Sequence, residues 1–294
     1  MPTVLGVDVG GTKLAAAVVA REGVVLARSS AATPRDVDAD GVFSALMAVV
    51  AEALSAVGPD LEAPVACGVG CGGPMAPHGE TVSPLNIPAW RAFPLGRRLA
   101  DATGLPTYVD NDAKALALAE GWRGAAAGER SFLAMVVSTG VGGGVVVDGR
   151  LLDGASGNAG HIGHVIVEPD GRRCACGARG CLEAEASGTA IAAMTGRPAA
   201  EATPDVVART GRLVGRAVGS VCNLLDLPLT VVAGSVALGF GTPFFEAAQD
   251  EVDRVCRLEF SVGSLVRPAG LGASGPMIGA GAVAWEGLGL RVWA

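Results

Sequence analysis

Two stretches of the sequence read as one unit written twice. Residues 4–27, VLGVDVGGTKLAAAVVAREGVVLA, run apolar strand, glycine turn, apolar strand, tight turn, strand. Residues 132–152, FLAMVVSTGVGGGVVVDGRLL, repeat that order with a different glycine turn and an Asp-Gly at the second bend. Short β runs bounded by such turns specify hairpins. After the first copy the spacing turns helical, with Phe43, Leu46, Val50 and Leu54 in a helix over 38–57. A chain that doubles a strand-rich entry, then alternates strands with helices, is an α/β protein of two similar lobes with a cleft between them.

Further elements follow the same logic. A strand at 65–70 leads into a Gly/Pro-rich loop, and a short helix (94–103) and a strand (106–110) precede a helix from Asn111. Beyond the second copy come helices over 187–195 and 203–226, the strand LTVVAGS, a helix over 243–258 and a last helix from Gly279 to Gly287. The expected boundary is Asp110. It separates an N-terminal lobe, 1–110, onto which the segment 279–294 packs back, from a larger lobe, 111–278. Glycines and prolines interrupt the uncharged stretches Ser131–Val147 and Leu227–Phe245, so hairpins and strand–turn–helix units explain them better than membrane spans. Nothing at the start reads as a signal peptide, and a soluble, cytoplasmic protein is expected. The formal charge of −7 argues against a surface devoted to nucleic acid, which needs a basic face.

The glycine turns carry the first chemical signal. In Asp8-Val9-Gly10-Gly11-Thr12-Lys13 the glycines let backbone N–H groups approach phosphate oxygens, Asp8 could hold a hydrated Mg²⁺, and Thr12 and Lys13 could donate. A plain hairpin would explain one such turn. A second, Ser138-Thr139-Gly140-Val141-Gly142-Gly143-Gly144, is harder to dismiss, and both run strand to strand, unlike a Walker loop or a dinucleotide fingerprint. Gly234-Ser235 ends a strand and could open a pocket for a nucleotide base. In Asp110-Asn111-Asp112, at the start of a helix, capping is one reading; general-base catalysis by an aspartate, with Asn111 holding hydroxyls, is the other.

The strongest local signal is GNAGHIGHVIVEPDGRRCACGARGCLE at 157–183. His164, Cys174, Cys176 and Cys181 form a Cys₃His set, a standard tetrahedral zinc site, and an odd thiol count argues against disulfides. Four protein ligands make such a zinc structural. His164 would keep its second ring nitrogen as a donor toward a substrate. Glu183 could grip a hydroxyl or be a solvated helix-start carboxylate. His161 could touch substrate or be a surface imidazole.

Together these motifs resemble the ROK family of sugar kinases, repressors and related proteins. The resemblance runs through DVGGTK (8–13), GCGGP (70–74), NDAKA (111–115), STGVGGG (138–144), AGHIGH (159–164), CACGARGCLEAEASG (174–188) and AGS (233–235). It implies an actin-like, hexokinase-like (ribonuclease H-like) fold and transfer of the γ-phosphoryl of ATP to the 6-hydroxyl of a hexose. It further implies Asp112 as general base and Gly73, Asn86, Asn111, His161, His164 and Glu183 at the sugar. ATP–Mg²⁺ would use Asp8, Gly10, Gly11, Thr12, Lys13, Thr139, Gly140, Gly142, Gly143 and Gly234, and zinc would take His164, Cys174, Cys176 and Cys181. A homo-oligomer, dimer or tetramer, is implied too.

Three positions depart from the family pattern. Lys114 replaces the second Asn of NDANA, Gly72 replaces the proline of the sugar loop, and His161 replaces a Glu that grips hydroxyls in glucokinase-type members. AGHIGH is similar to the family's N-acetylmannosamine-phosphorylating members, so that sugar is the leading expectation and glucose or a broad hexose range the alternative. The family's repressors carry a DNA-binding segment ahead of the first strand, which is not expected with a first strand at residue 4 and an acidic balance, and a non-catalytic sensor fits poorly with both turns and Asp112 in place.

Overall fold

The computed structural model describes residues 2–58 and 61–293. In chain order β1 (Thr3–Val9), β2 (Lys13–Ala20) and β3 (Val25–Ala32) precede α1 (Ala39–Ser55), β4 (Cys67–Cys71), α2 (Leu95–Thr103), β5 (Thr107–Asn111) and α3 (Asp112–Arg123). The second set begins with β6 (Phe132–Val137), β7 (Val141–Val147) and β8 (Arg150–Leu151), then α4 (Leu182–Ala186), α5 (Gly188–Thr195) and α6 (Pro204–Leu225). It continues with β9 (Leu229–Ala233), α7 (Ser235–Phe240), α8 (Thr242–Val255) and β10 (Leu265–Pro268), and α9 (Gly275–Gly287) follows.

Among the described residues the strands form two five-stranded sheets, ordered β3-β2-β1-β4-β5 and β8-β7-β6-β9-β10. In the first, β1 is antiparallel to β2 and parallel to β4; in the second, β6 is antiparallel to β7 and parallel to β9. The repeated sequence unit is thus a repeated topology. Tight turns suffice for the antiparallel pairs, whereas the parallel pairs need helical crossovers, supplied by α1 and α2 in one sheet and by α4–α6 and α7–α8 in the other.

The fold divides into two compact units. One runs up to Arg123 and adds residues 153–159 and the chain from Ala273 onward; the other comprises 124–152 and 160–272. The division falls at Arg123/Gly124, one helix beyond the expected Asp110, because α3 packs on α9 and β4 of the first unit. The last helix starts a turn before Gly279, with Pro276 in its first turn, where a missing N–H costs nothing. Met1 and Ala294, the outer limits of the expected N-terminal lobe and packed-back segment, lie outside the described residues. Three elements went unforeseen: α4 and α7, too short to show a period, and β10, whose LVRP carries a charge and a proline.

Each unit has its own aliphatic core. Leu5, Val7, Leu14, Leu46, Val50 and Leu95 anchor the first, and Leu133, Met135, Leu182, Leu213, Val232 and Phe244 the second. Among the described residues no helix is long and apolar enough to cross a membrane.

Candidate active site and metal centre

In the first unit the parallel strands β1, β4 and β5 end on one edge. Their register sets Asp8 opposite Gly70, Gly70 opposite Asp110, and Cys71 opposite Asn111. Ligand sites of α/β sheets gather at such carboxyl ends. Asp112 opens α3 there. Its Oδ1 accepts the N–H of Ala113 at 2.8 Å, and Asn111 Oδ1 accepts the same N–H at 3.0 Å, so both residues cap the helix. Asp112 Oδ2 lies toward the 70–74 loop, 3.9 Å from where a Cβ on Gly72 would stand. Asp112 thus caps the helix through Oδ1 and sets Oδ2 toward the loop that carries Gly73.

The β1–β2 turn is closed by the N–H of Gly10 donating to Lys13 O at 3.0 Å, and Thr33 Oγ1 donates to Gly10 O at 2.6 Å. A Cβ on Gly11 would stand 2.2 Å from that of Asn86. Only glycine permits this approach, which sets the expected phosphate turn against an expected sugar residue. Thr12 and Lys13 are exposed beside it. Burial raises the Asp8 carboxyl to about 7, the Asp112 carboxylate adds to the rise, and Lys13 opposes it. Two carboxylates held this way are the donor set a divalent cation neutralises.

In the second unit the β6–β7 turn is closed by the N–H of Ser138 donating to Gly140 O at 2.9 Å. The segment that follows the cysteines holds this turn from behind. Gly188 N–H donates to Ser138 O at 2.7 Å, and the N–H and hydroxyl of Thr189 both donate to Thr139 O, at 3.3 and 2.9 Å. Val141 N–H donates to Glu183 Oε2 at 3.0 Å. Thr139 and Gly140 occupy the turn itself. Gly142 and Gly143 lie in β7 opposite Val136 and Met135. Gly160 has φ 99°, and a Cβ there would stand 2.3 Å from Gly143 O, so these two glycines let the histidine segment lie on β7. Gly234 follows β9, and the hydroxyls of Ser138 and Ser235 pair at 2.9 Å.

The metal set assembles as its spacing implies. One ligand atom from each of His164, Cys174, Cys176 and Cys181 lies within 4.8 Å of the others. His164 Nδ1 is 3.7 Å from Cys174 Sγ, and Cys176 Sγ is 3.6 Å from Cys181 Sγ. Zinc–sulfur bonds of about 2.3 Å in a tetrahedron separate ligand atoms by roughly 3.5–3.8 Å, so the donors fit zinc. Burial pushes the Cys181 thiol up to about 12, with Cys176 and Cys174 adding, a cost that coordination of the thiolate by a divalent ion would offset. Ion pairs brace the clasp: Glu185, 2% exposed, accepts from Arg172 at 3.0 Å and Arg209 at 2.6 Å, while Arg216 donates to Val167 O and Glu168, each at 2.8 Å. With Nδ1 on the metal side, the His164 ring keeps Nε2 as a donor, and the His161 ring lies 6.1 Å from it, centroid to centroid.

The candidate residues thus fall into two groups. Asp8, Gly10, Gly11, Thr12, Lys13, Gly73, Asn86, Asn111 and Asp112 belong to the first unit; Thr139, Gly140, Gly142, Gly143, His161, His164, Glu183 and Gly234 belong to the second. Sequence reasoning missed Thr189, which supports the second turn. Its only signal was a Ser-Gly-Thr following the metal segment, a pattern common at helix starts.

Comparison with known proteins gives these arrangements relatives. The ROK family model matches residues 4–286. An N-acetylmannosamine kinase of Citrobacter koseri is 38% identical over 252 residues, covering 81% of this chain and 84% of that kinase. The crystal structure of a ROK hexokinase from Thermus thermophilus superposes with a TM-score of 0.85 at 34% identity, over 98% of this chain and 99% of that one. A ROK glucokinase from Streptomyces griseus, in complex with glucose and AMPPNP, gives 0.82 at 31% identity over 97% and 99%.

Proposed function

The chain belongs to the ROK family, and on that premise we propose that it is an ATP-dependent sugar kinase whose preferred substrate is N-acetylmannosamine. The observation that carries the reaction is Asn111–Asp112 at the common end of β1, β4 and β5, with Asp112 Oδ2 turned to the loop at Gly72. Asp112 takes the proton of the sugar 6-hydroxyl as that oxygen bonds to the γ-phosphorus, the bridging P–O bond breaks, and ADP leaves. Asp8 to Lys13 and the Ser138–Gly140 turn present backbone and side-chain donors to the phosphates, with Gly234 toward the base. Asp8, whose carboxyl is destabilised by burial and by Asp112, is the residue that would hold Mg²⁺.

Gly73, Asn86, Asn111, His161, His164 and Glu183 hold the sugar. An imidazole at His161 donates to an acetamido carbonyl, which a carboxylate would repel; this, with the likeness to N-acetylmannosamine kinases, supports the N-acetyl sugar. Zinc, bound by His164 and the three cysteines, supplies a closed structural tie. The same reading expects a cytoplasmic homo-oligomer.

A coupled assay over glucose, mannose, N-acetylmannosamine and N-acetylglucosamine tests the substrate. N-acetylmannosamine is expected to give the highest kcat/KM; a higher value for glucose would transfer the assignment to a glucokinase or broad hexose kinase, the activity of the two structural relatives. Glu183→Gln is expected to raise the sugar KM about tenfold with kcat within about threefold, the mark of a binding contact. An unchanged sugar KM would remove Glu183 from the sugar site.

A further inference from the structure

Lys114 carries an ammonium group almost without access to solvent. Its side chain, 3% exposed, leaves the first turn of α3, and its Nζ donates to Asp110 Oδ1 at 2.8 Å, Asp153 Oδ1 at 2.5 Å and Gly157 O at 3.3 Å. An ammonium has three protons, and here three acceptors match them. Asp110 Oδ1 also accepts the N–H of Asn111 at 2.7 Å. One cation therefore joins the end of β5, the start of α3 and the segment 153–159.

That segment has little else to hold it. It forms no helix or strand, and Asp153, Gly154, Ala155 and Ser156 are exposed. Its internal bonds are local: Ala159 N–H to Asp153 O at 2.9 Å, and Asn158 Nδ2 to Ser156 O at 3.1 Å. It packs with the first unit although the residues on either side of it pack with the second. Burial alone would lower the lysine's pKa, yet Asp110 and Asp153 together leave it above the ordinary value, so the cation stays charged. Burying an ion pair adds little net stability compared with apolar packing, and this leaves the directional tie as its use.

We propose that Lys114 is a positioning residue for sugar binding: it clamps the 153–159 segment against the start of α3, so that the segment walls the site beside Asn111 and Asp112. This rests on the sugar-kinase reading above and names a residue that sets sugar affinity without touching the sugar. Losing the clamp loosens the wall and the Asn111 backbone, while the β1–β2 turn, held by its own hydrogen bonds, keeps its place.

The test uses the full chain as Lys114→Met, Lys114→Arg and Asp153→Asn. Lys114→Met is expected to raise the sugar KM about tenfold while kcat and the ATP KM stay within about threefold, with Lys114→Arg recovering part of the loss. Amide exchange in 153–159 should quicken about tenfold in the same variant. Asp153, 67% exposed, can lose its charge without a buried defect, so Asp153→Asn keeps the fold and should give a smaller shift in the same direction. A folded Lys114→Met or Asp153→Asn protein with wild-type sugar KM overturns the proposal, as do sugar and ATP KM values rising together. Were the wild type to phosphorylate no sugar, the functional reading would fail; exchange in 153–159 would still judge the clamp, and wild-type protection in Lys114→Met would refute it.

Discussion

Asp112→Asn is expected to lower kcat by about 10³-fold, within the usual contribution of a general base, while sugar binding persists. The substitution isolates the chemistry. The Asp112 Oδ1 that accepts the Ala113 N–H survives as an amide oxygen, so the helix cap remains. Proton acceptance is lost, together with the carboxylate's charge beside Asp8. Sugar titrated calorimetrically into the variant should give a Kd within about threefold of wild type, because the amide keeps the side chain's shape and most of its hydrogen bonding. A kcat within tenfold of wild type would remove Asp112 as the base.

The same variant reports on Asp8. Burial, then the Asp112 carboxylate, raise the Asp8 pKa from 3.8 to about 7, so between these values the folded chain holds a proton that the unfolded chain has released. Stability from this group is therefore present at low pH and is lost as pH rises toward and through about 7. Removing the Asp112 charge weakens that loss. In magnesium-free buffer, the Tm of Asp112→Asn should gain on wild type as pH climbs from 5 to 8, a range set by the shifted Asp8 value. A Tm difference flat across that range would show that the two carboxylates are not coupled.

Cys176→Ser should lose zinc and stability together. Cys176 is the exposed cysteine of the clasp, whereas Cys174 and Cys181 are buried, so replacing it opens no packing defect and the effect reads as metal. Metal free energy is folding free energy where the site does not pre-exist in the unfolded chain. The second unit has its own core and the clasp is braced by Glu185 and Arg216, so a loss of about 3–5 kcal/mol, or a Tm lower by about 10 °C, is expected rather than global unfolding. Sugar KM should rise as well, because Glu183 follows Cys181 by two residues and His164 is itself a ligand. Zinc content by mass spectrometry, Tm and sugar KM should move as one. A folded, zinc-free protein with wild-type Tm and KM would refute the structuring role.

Much of this protein was written in its sequence because the determining interactions are local. Glycine turns between apolar runs fix hairpins, so the doubled unit foretold two sheets of one topology. Metal ligands close in sequence, with glycines between them, can meet only at a common point, so His164 and the three cysteines were legible without coordinates. Asn111–Asp112 at a strand-to-helix junction was legible for the same reason. What the tertiary structure alone decided depends on contacts between distant segments. Gly143 serves the approach of Gly160 within β7 rather than sitting in the turn, Thr189 holds Thr139 from fifty residues away, and α3 joins the first unit by packing on α9. Lys114 is the clearest case. In sequence it is a charge in place of an amide, with nothing to distinguish it from a solvated helix residue. Only the fold, by carrying Asp153 and Gly157 to its ammonium group, buries it and gives the substitution a use.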